Sequence, residues 1–270
     1  MANHQHPNRR RAIAGLGLSL MALTVLQPVG AVDTPATAIA MDSPAGQKLL
    51  LKPRTRRADY AALVQWYETQ ANLAYCGVAS SVMVLNSLAV AAPKAEGYGT
   101  NRFWTQTNLF TVPASRSFVE ASRVAREGMT LEQLHGLLAS VGTGVRRYHG
   151  ESLSLEQLRW LLRRGLTERT DRLLANYDRR ALGQKGGGHI SPLAAYDPDQ
   201  DRVLILDVAR YRYPAVWVNT ADLWRAIRSI DTSSGRSRGL VIIEAPAAAK
   251  APAAAKAPAA AKAPSQAGPI

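Results

Sequence analysis

Cys76 is the only cysteine among 270 residues, and its surroundings suit a nucleophile. Gln70 lies six positions upstream, and a mostly apolar run, Val82 to Val90, follows. Gly77, Ala79, Ser80 and Ser81 ahead of that run predict the first turns of a buried helix. A cysteine at a helix N-terminus meets unpaired N–H groups and the positive end of the helix dipole. Both favour the thiolate, which is the reactive form. An upstream Gln can direct its amide to where an oxyanion would develop, beside the cysteine's own N–H. The competing reading is a lone cysteine inert in a core.

A base and its orienting group stand downstream. Gly186 to Tyr196 and Arg202 to Val208 flank the turn-rich Asp197-Pro198-Asp199-Gln200-Asp201, which predicts a β-hairpin. If Tyr196 pairs with Arg202, Ser191 lies opposite Asp207 and His189 opposite Ala209, all on one face. His189 and Asp207 are then diagonal neighbours within side-chain reach. A one-residue slip would send them to opposite faces. A carboxylate between Leu206 and Val208 needs a partner, because burying it unpaired is costly. His189 is the nearest candidate, and a salt bridge to Arg210 or another arginine is the alternative. His4 and His6 lie in the basic N-terminal segment. His135 and His149 show no metal-ligand spacing, and no metal site is expected.

The remaining elements must hold these groups. The helix after Cys76 is expected to run to about Leu88, with Pro93 beyond it. Tyr60 to Glu68 opens the fold, and Val119 to Glu127 reads as a helix. Thr130 with Gln133, and Ser154 with Gln157, make two capping boxes that start helices. Val145 to Tyr148 predicts a short strand, and residues 165–183 read as a helix.

Composition bounds the rest. Arg9-Arg10-Arg11, the uncharged Ala12–Gln27 and Val29-Gly30-Ala31 have the order of an export signal over residues 1–31. An uncleaved anchor is the alternative, although the run is short for a membrane span. The paired arginines match a folded-state export signal only loosely. Residues 32–59 read as a leader or linker, and residues 60–244 as the catalytic domain. Residues 245–262 hold three copies of Ala-Pro-Ala-Ala-Ala-Lys, and residues 245–270 read as a disordered spacer. The formal charge is +13; discounting the two ends leaves a basic surface on the domain, suited to anions. No nucleic-acid motif is present, so nucleic acid is excluded as a partner. Membrane contact is expected only through the export signal, localisation is expected to be periplasmic, and a homodimer is left open. One cysteine excludes an intramolecular disulfide.

Gln70, Cys76, His189 and Asp207 follow the order of papain-like cysteine enzymes. Asp207 would hold the imidazole, and His189 would take the thiol proton and return it to a leaving amine. Ala74-Tyr75-Cys76-Gly77-Val78-Ala79-Ser80 with Val84-Leu85-Asn86-Ser87-Leu88 resembles the nucleophile helix of phytochelatin synthases. So do Gly188-His189-Ile190-Ser191-Pro192, Leu204 to Pro214, Trp217-Val218, Leu223-Trp224, Ser229-Ile230-Asp231 and Arg238-Gly239. The resemblance covers most of residues 60–244.

It implies an α+β, papain-like fold with the nucleophile helix packed on an antiparallel sheet. It also implies attack by Cys76 on the Cys–Gly bond of glutathione, release of glycine, and a γ-glutamylcysteinyl thioester. Asp231 and Arg238 match the family's γ-glutamyl pocket, and Arg210 matches a position linked to the second substrate. No bound cofactor is implied; cadmium or zinc would enter as a glutathione thiolate, that is, as part of the substrate. The plant-type enzymes carry a cysteine-rich C-terminal domain, whereas this chain ends in the Ala/Pro/Lys tail. It thus resembles the short bacterial members, with hydrolysis expected ahead of transfer to a second glutathione. The alternatives are a papain-like peptidase cutting after double glycine in leader peptides, and a non-catalytic exported binding protein.

Overall fold

The computed structural model describes Met1 and residues 37–246. The expected export signal beyond Met1, and nearly all of the expected spacer at residues 245–270, fall outside the described residues. In chain order the strands are β1 (Ile39–Ala40), β2 (Gly144–His149), β3 (Asp171–Asp178), β4 (Gly188–Asp197), β5 (Arg202–Ile205), β6 (Val216–Asn219), β7 (Ile230–Asp231), β8 (Arg236–Ser237) and β9 (Gly239–Glu244). The helices are α1 (Pro44–Leu51), α2 (Tyr60–Gln65), α3 (Cys76–Ser87), α4 (Pro113–Arg116), α5 (Ala121–Glu127), α6 (Leu131–Ser140), α7 (Leu155–Gly165) and α8 (Thr220–Arg228). Seven strands form one antiparallel sheet in the order β1-β6-β5-β4-β3-β9-β2, and β7 pairs with β8 as a small ribbon.

Helices cover both faces of that sheet. Leu174, Ile190, Leu204, Trp217 and Val241 face a core built with α3 and α6. Leu173, Tyr177, Leu193, Val203 and Ile242 face a second core built with α7 and α8. Two covered faces explain why the strands read as apolar runs rather than clean alternations. Both expected capping boxes are present, Thr130 with Gln133 and Ser154 with Gln157.

Residues 165–183 do not form the expected helix. Residues 171–178 are β3, a central strand buried on both faces. Its charged residues hid it. Arg172 is buried because it donates to Asp59 at 3.0 Å and to the Ser87 hydroxyl at 3.0 Å. Residues 32–59 are not simply a leader either. β1 pairs with β6, Leu49 is buried, and the Trp217 indole N–H donates to the Gly46 carbonyl at 3.1 Å.

The hairpin forms, but its register differs near the turn. Asp197 pairs with Arg202 and Tyr196 with Val203, one residue off the expected alignment. An irregularity between Leu193 and Ala195 leaves Ala194 as the extra residue, and Leu193 then pairs with Ile205. Leu206 N–H donates to the Pro192 carbonyl at 3.0 Å, which keeps the expected register toward Asp207. An extra residue in one strand exchanges its two faces. Ile190 and Ala195, of unlike parity, accordingly share a core.

Candidate active site

Cys76 is the first residue of α3, and no side chain caps that helix. Its leading N–H groups are therefore left for another acceptor. The buried α3 lies across the start of β4, where the Ser80 hydroxyl donates to the Ile190 carbonyl at 3.0 Å. His189, second residue of β4, is thereby set beside the sulfur, close enough for imidazole and thiol to act on each other's charge. Its Nε2 lies 2.9 Å from Asp207 Oδ1, which leaves Nδ1 for the sulfur. The Tyr177 ring meets the imidazole edge-on, with centroids 5.7 Å apart.

Burial raises the Cys76 thiol, but the charge and hydrogen bond of His189 and the N–H groups of Ile190 and Gly77 outweigh it, so the thiol falls below its ordinary range. Burial likewise works against the imidazolium, but Asp207 and the thiolate overcome it, and His189 is raised. The pair therefore favours thiolate and imidazolium together. Asp207 is fully buried. Desolvation would raise its carboxyl, yet His189 and Arg179 hold it well below the usual carboxylate range.

Arg179 is a site residue that sequence reasoning missed. Its Nη1 donates to Asp207 Oδ2 at 2.6 Å and its Nη2 to Oδ1 at 2.9 Å. Nη1 also donates to Gln184 Oε1 at 2.6 Å, and the guanidinium lies 4.7 Å from the centroid of the Tyr213 ring. Asp207 thus serves His189 and an arginine at once; the arginine is Arg179, not Arg210. Arg210 is exposed, stacks on the Tyr67 ring at 4.6 Å and donates to the Tyr67 carbonyl.

Gln70 is held near this group because its N–H donates to the Val208 carbonyl at 3.0 Å. Its amide departs from expectation: Nε2 donates to the Asn72 carbonyl at 2.7 Å. An amide nitrogen carries two protons, so one remains for another acceptor.

A cavity of about 720 Å³ opens at Cys76 and His189. Asp231 and Arg238 line it, and Arg210 does not. Arg238 Nη1 lies 3.7 Å from Asp231 Oδ2 and donates to Asn176 Oδ1 at 2.9 Å. Two buried donors there, Arg238 Nε and Asn176 Nδ2, have no hydrogen-bond partner. Buried donors left unmet cost stability and suit a carboxylate ligand. Asn176 was also missed, since β3 was read as a helix. Glu132 lines the cavity too and lies 2.8 Å from His149 Nε2. Among the described residues no group of three His, Cys, Asp or Glu could hold a metal ion.

The family model for phytochelatin synthase matches residues 29–240. The chain belongs to the phytochelatin synthase family. Similar proteins include glutathione gamma-glutamylcysteinyltransferase 1 of Lotus japonicus, 32% identical over 184 residues, which is 68% of this chain and 35% of the relative. Glutathione gamma-glutamylcysteinyltransferase 2 of Arabidopsis thaliana is 32% identical over 188 residues, 69% of this chain and 40% of the relative. The glutathione gamma-glutamylcysteinyltransferase of Schizosaccharomyces pombe is 31% identical over 212 residues, 78% of this chain and 50% of the relative. The chain thus spans between about a third and a half of these relatives.

Proposed function

We propose that this member of the phytochelatin synthase family is a papain-like cysteine acyltransferase acting on glutathione. The observation that carries the reading is Cys76 at a helix N-terminus, lining one cavity with an imidazole that Asp207 steers from 2.9 Å. The Cys76 thiolate attacks the carbonyl carbon of the Cys–Gly bond. The Cys76 N–H and the free proton of the Gln70 amide steady the oxyanion. The C–N bond breaks, His189 gives its proton to the glycine amine, and a γ-glutamylcysteinyl thioester stays on the sulfur. Water, deprotonated by His189, then releases γ-Glu-Cys; a second glutathione in its place gives phytochelatin.

The unmet donors of Arg238 and Asn176 suit the α-carboxylate of the γ-glutamyl group, and Asp231 suits its amine. Hydrolysis ranks ahead of transfer, because Arg210, the position matched to the second substrate, stands off the donor cavity on Tyr67. Cadmium or zinc enters as a thiolate of the substrate. Export to the periplasm and a role in heavy-metal detoxification belong to the same proposal and rest on sequence pattern and family membership.

Mass spectrometry of the protein mixed with glutathione tests it. An adduct of one γ-glutamylcysteinyl unit on Cys76, with free glycine, is expected; an adduct of intact glutathione alone, or glycine release that survives Cys76→Ala, would overturn it.

A further inference from the structure

A second recess lies on the face of the sheet opposite α3. It is about 320 Å³ in volume and is lined by Arg56, Trp160, Arg163, Arg164, Thr167 and Glu168. Trp160 sits on the outward side of α7, whose other side buries Leu158, Leu161 and Leu162. It is 54% exposed and plays no part in either core. The Arg164 guanidinium lies 5.4 Å from the centroid of its indole. The segment bearing Arg56 is fixed beside this helix, since Arg56 exchanges backbone hydrogen bonds with Tyr196 and Ala58 N–H donates to the Leu166 carbonyl.

The recess gathers positive charge. Two nearby arginines are neutralised: Arg159 reaches Asp201 at 2.6 Å, and Arg54 reaches Asp199 at 2.8 Å. Arg56, Arg163 and Arg164 form no ion pair among the described residues, Glu168 included. Three guanidiniums beside one carboxylate repel one another unless an anion joins them. Planar forks of N–H donors match a tetrahedral oxyanion with several acceptor oxygens. An exposed indole beside them adds an apolar contact for the body that carries the anion.

We propose that this recess is a binding site for a phosphate group, with Arg56, Arg163 and Arg164 as its donors and Trp160 as the platform for what the phosphate is attached to. The phosphate belongs either to a lipid headgroup or to a soluble phosphate ester, and the site is independent of the glutathione reading.

The test uses the full chain with two probes: vesicles of phosphatidylcholine with or without phosphatidylglycerol, and inorganic phosphate. Binding is read by co-sedimentation and by the part of the tryptophan fluorescence that Trp160→Phe removes. A saturable response is expected that weakens at least tenfold in Arg56→Ser/Arg163→Ser/Arg164→Ser. It should persist in Lys48→Ser/Lys94→Ser/Arg102→Ser, which removes equal charge elsewhere. Saturation by inorganic phosphate assigns a soluble ester; a response to phosphatidylglycerol vesicles alone assigns a headgroup. No response to either probe, equal binding to neutral vesicles, or equal weakening in both triple variants overturns the site. Circular dichroism and glycine release from glutathione should match wild type in both variants; if the recess triple fails to fold, Arg163→Ser alone serves.

Discussion

Burial opposes ionisation of Cys76, and His189 reverses the outcome. The consequence is a window of pH rather than a single titration. The thiol is lowered and the imidazole raised, so thiolate and imidazolium coexist between the two. Alkylation of Cys76 by iodoacetamide should therefore remain fast at pH values where an ordinary thiol is protonated, and should slow only as the pH falls through the lowered thiol value. In His189→Ala the onset should move to higher pH, because burial is then opposed only by the N–H groups of Ile190 and Gly77; an unchanged profile would refute the ion pair. Asp207→Asn should lower the rate of glycine release about a hundredfold or more through loss of imidazole orientation, measured at saturating glutathione. Arg179→Met leaves the buried Asp207 without its bidentate partner and should cost about 3–5 kcal/mol in urea unfolding. His189 and Asp207 were legible in the sequence because a turn-rich stretch between apolar flanks announces a hairpin. Arg179 was not, because it follows a strand whose own charges disguised it.

Hairpin geometry decides what the elements add. Ala194 is the extra residue that leaves His189 and Asp207 on speaking terms despite the offset at the turn. Two adjacent alanines carry no visible mark of an irregular ladder, so the register near the turn could not be read from residue types. The capping boxes of α6 and α7 could be read, since each rests on residues three apart. β3 could not, because sheet burial on both faces erases alternation, and Arg172 is compensated by Asp59 from a distant segment. Gly188 offers a test of how tightly β4 is fitted to the cavity. A Cβ there would stand 2.2 Å from Arg238 Nη1. Gly188→Ala should push the guanidinium aside and raise KM for glutathione about tenfold or more, with a smaller change in kcat. A change in kcat alone would place the damage on His189 instead.

The whole molecule depends on its early residues more than their composition suggests. Residues 39–58 supply an edge strand, a helix and the Gly46 carbonyl that receives the Trp217 N–H. A proline- and lysine-containing stretch reads as linker because its contacts are with chain far away in sequence. Deleting residues 37–58 should abolish cooperative thermal unfolding, whereas removing 247–270 should leave the midpoint unchanged; scanning calorimetry on both truncations checks this. The chain contains a single sulfhydryl, and that sulfhydryl lines the cavity. Any maleimide or disulfide reagent therefore counts functional centres directly, without background from bystander thiols. Stoichiometry of labelling becomes a census of competent molecules in a preparation.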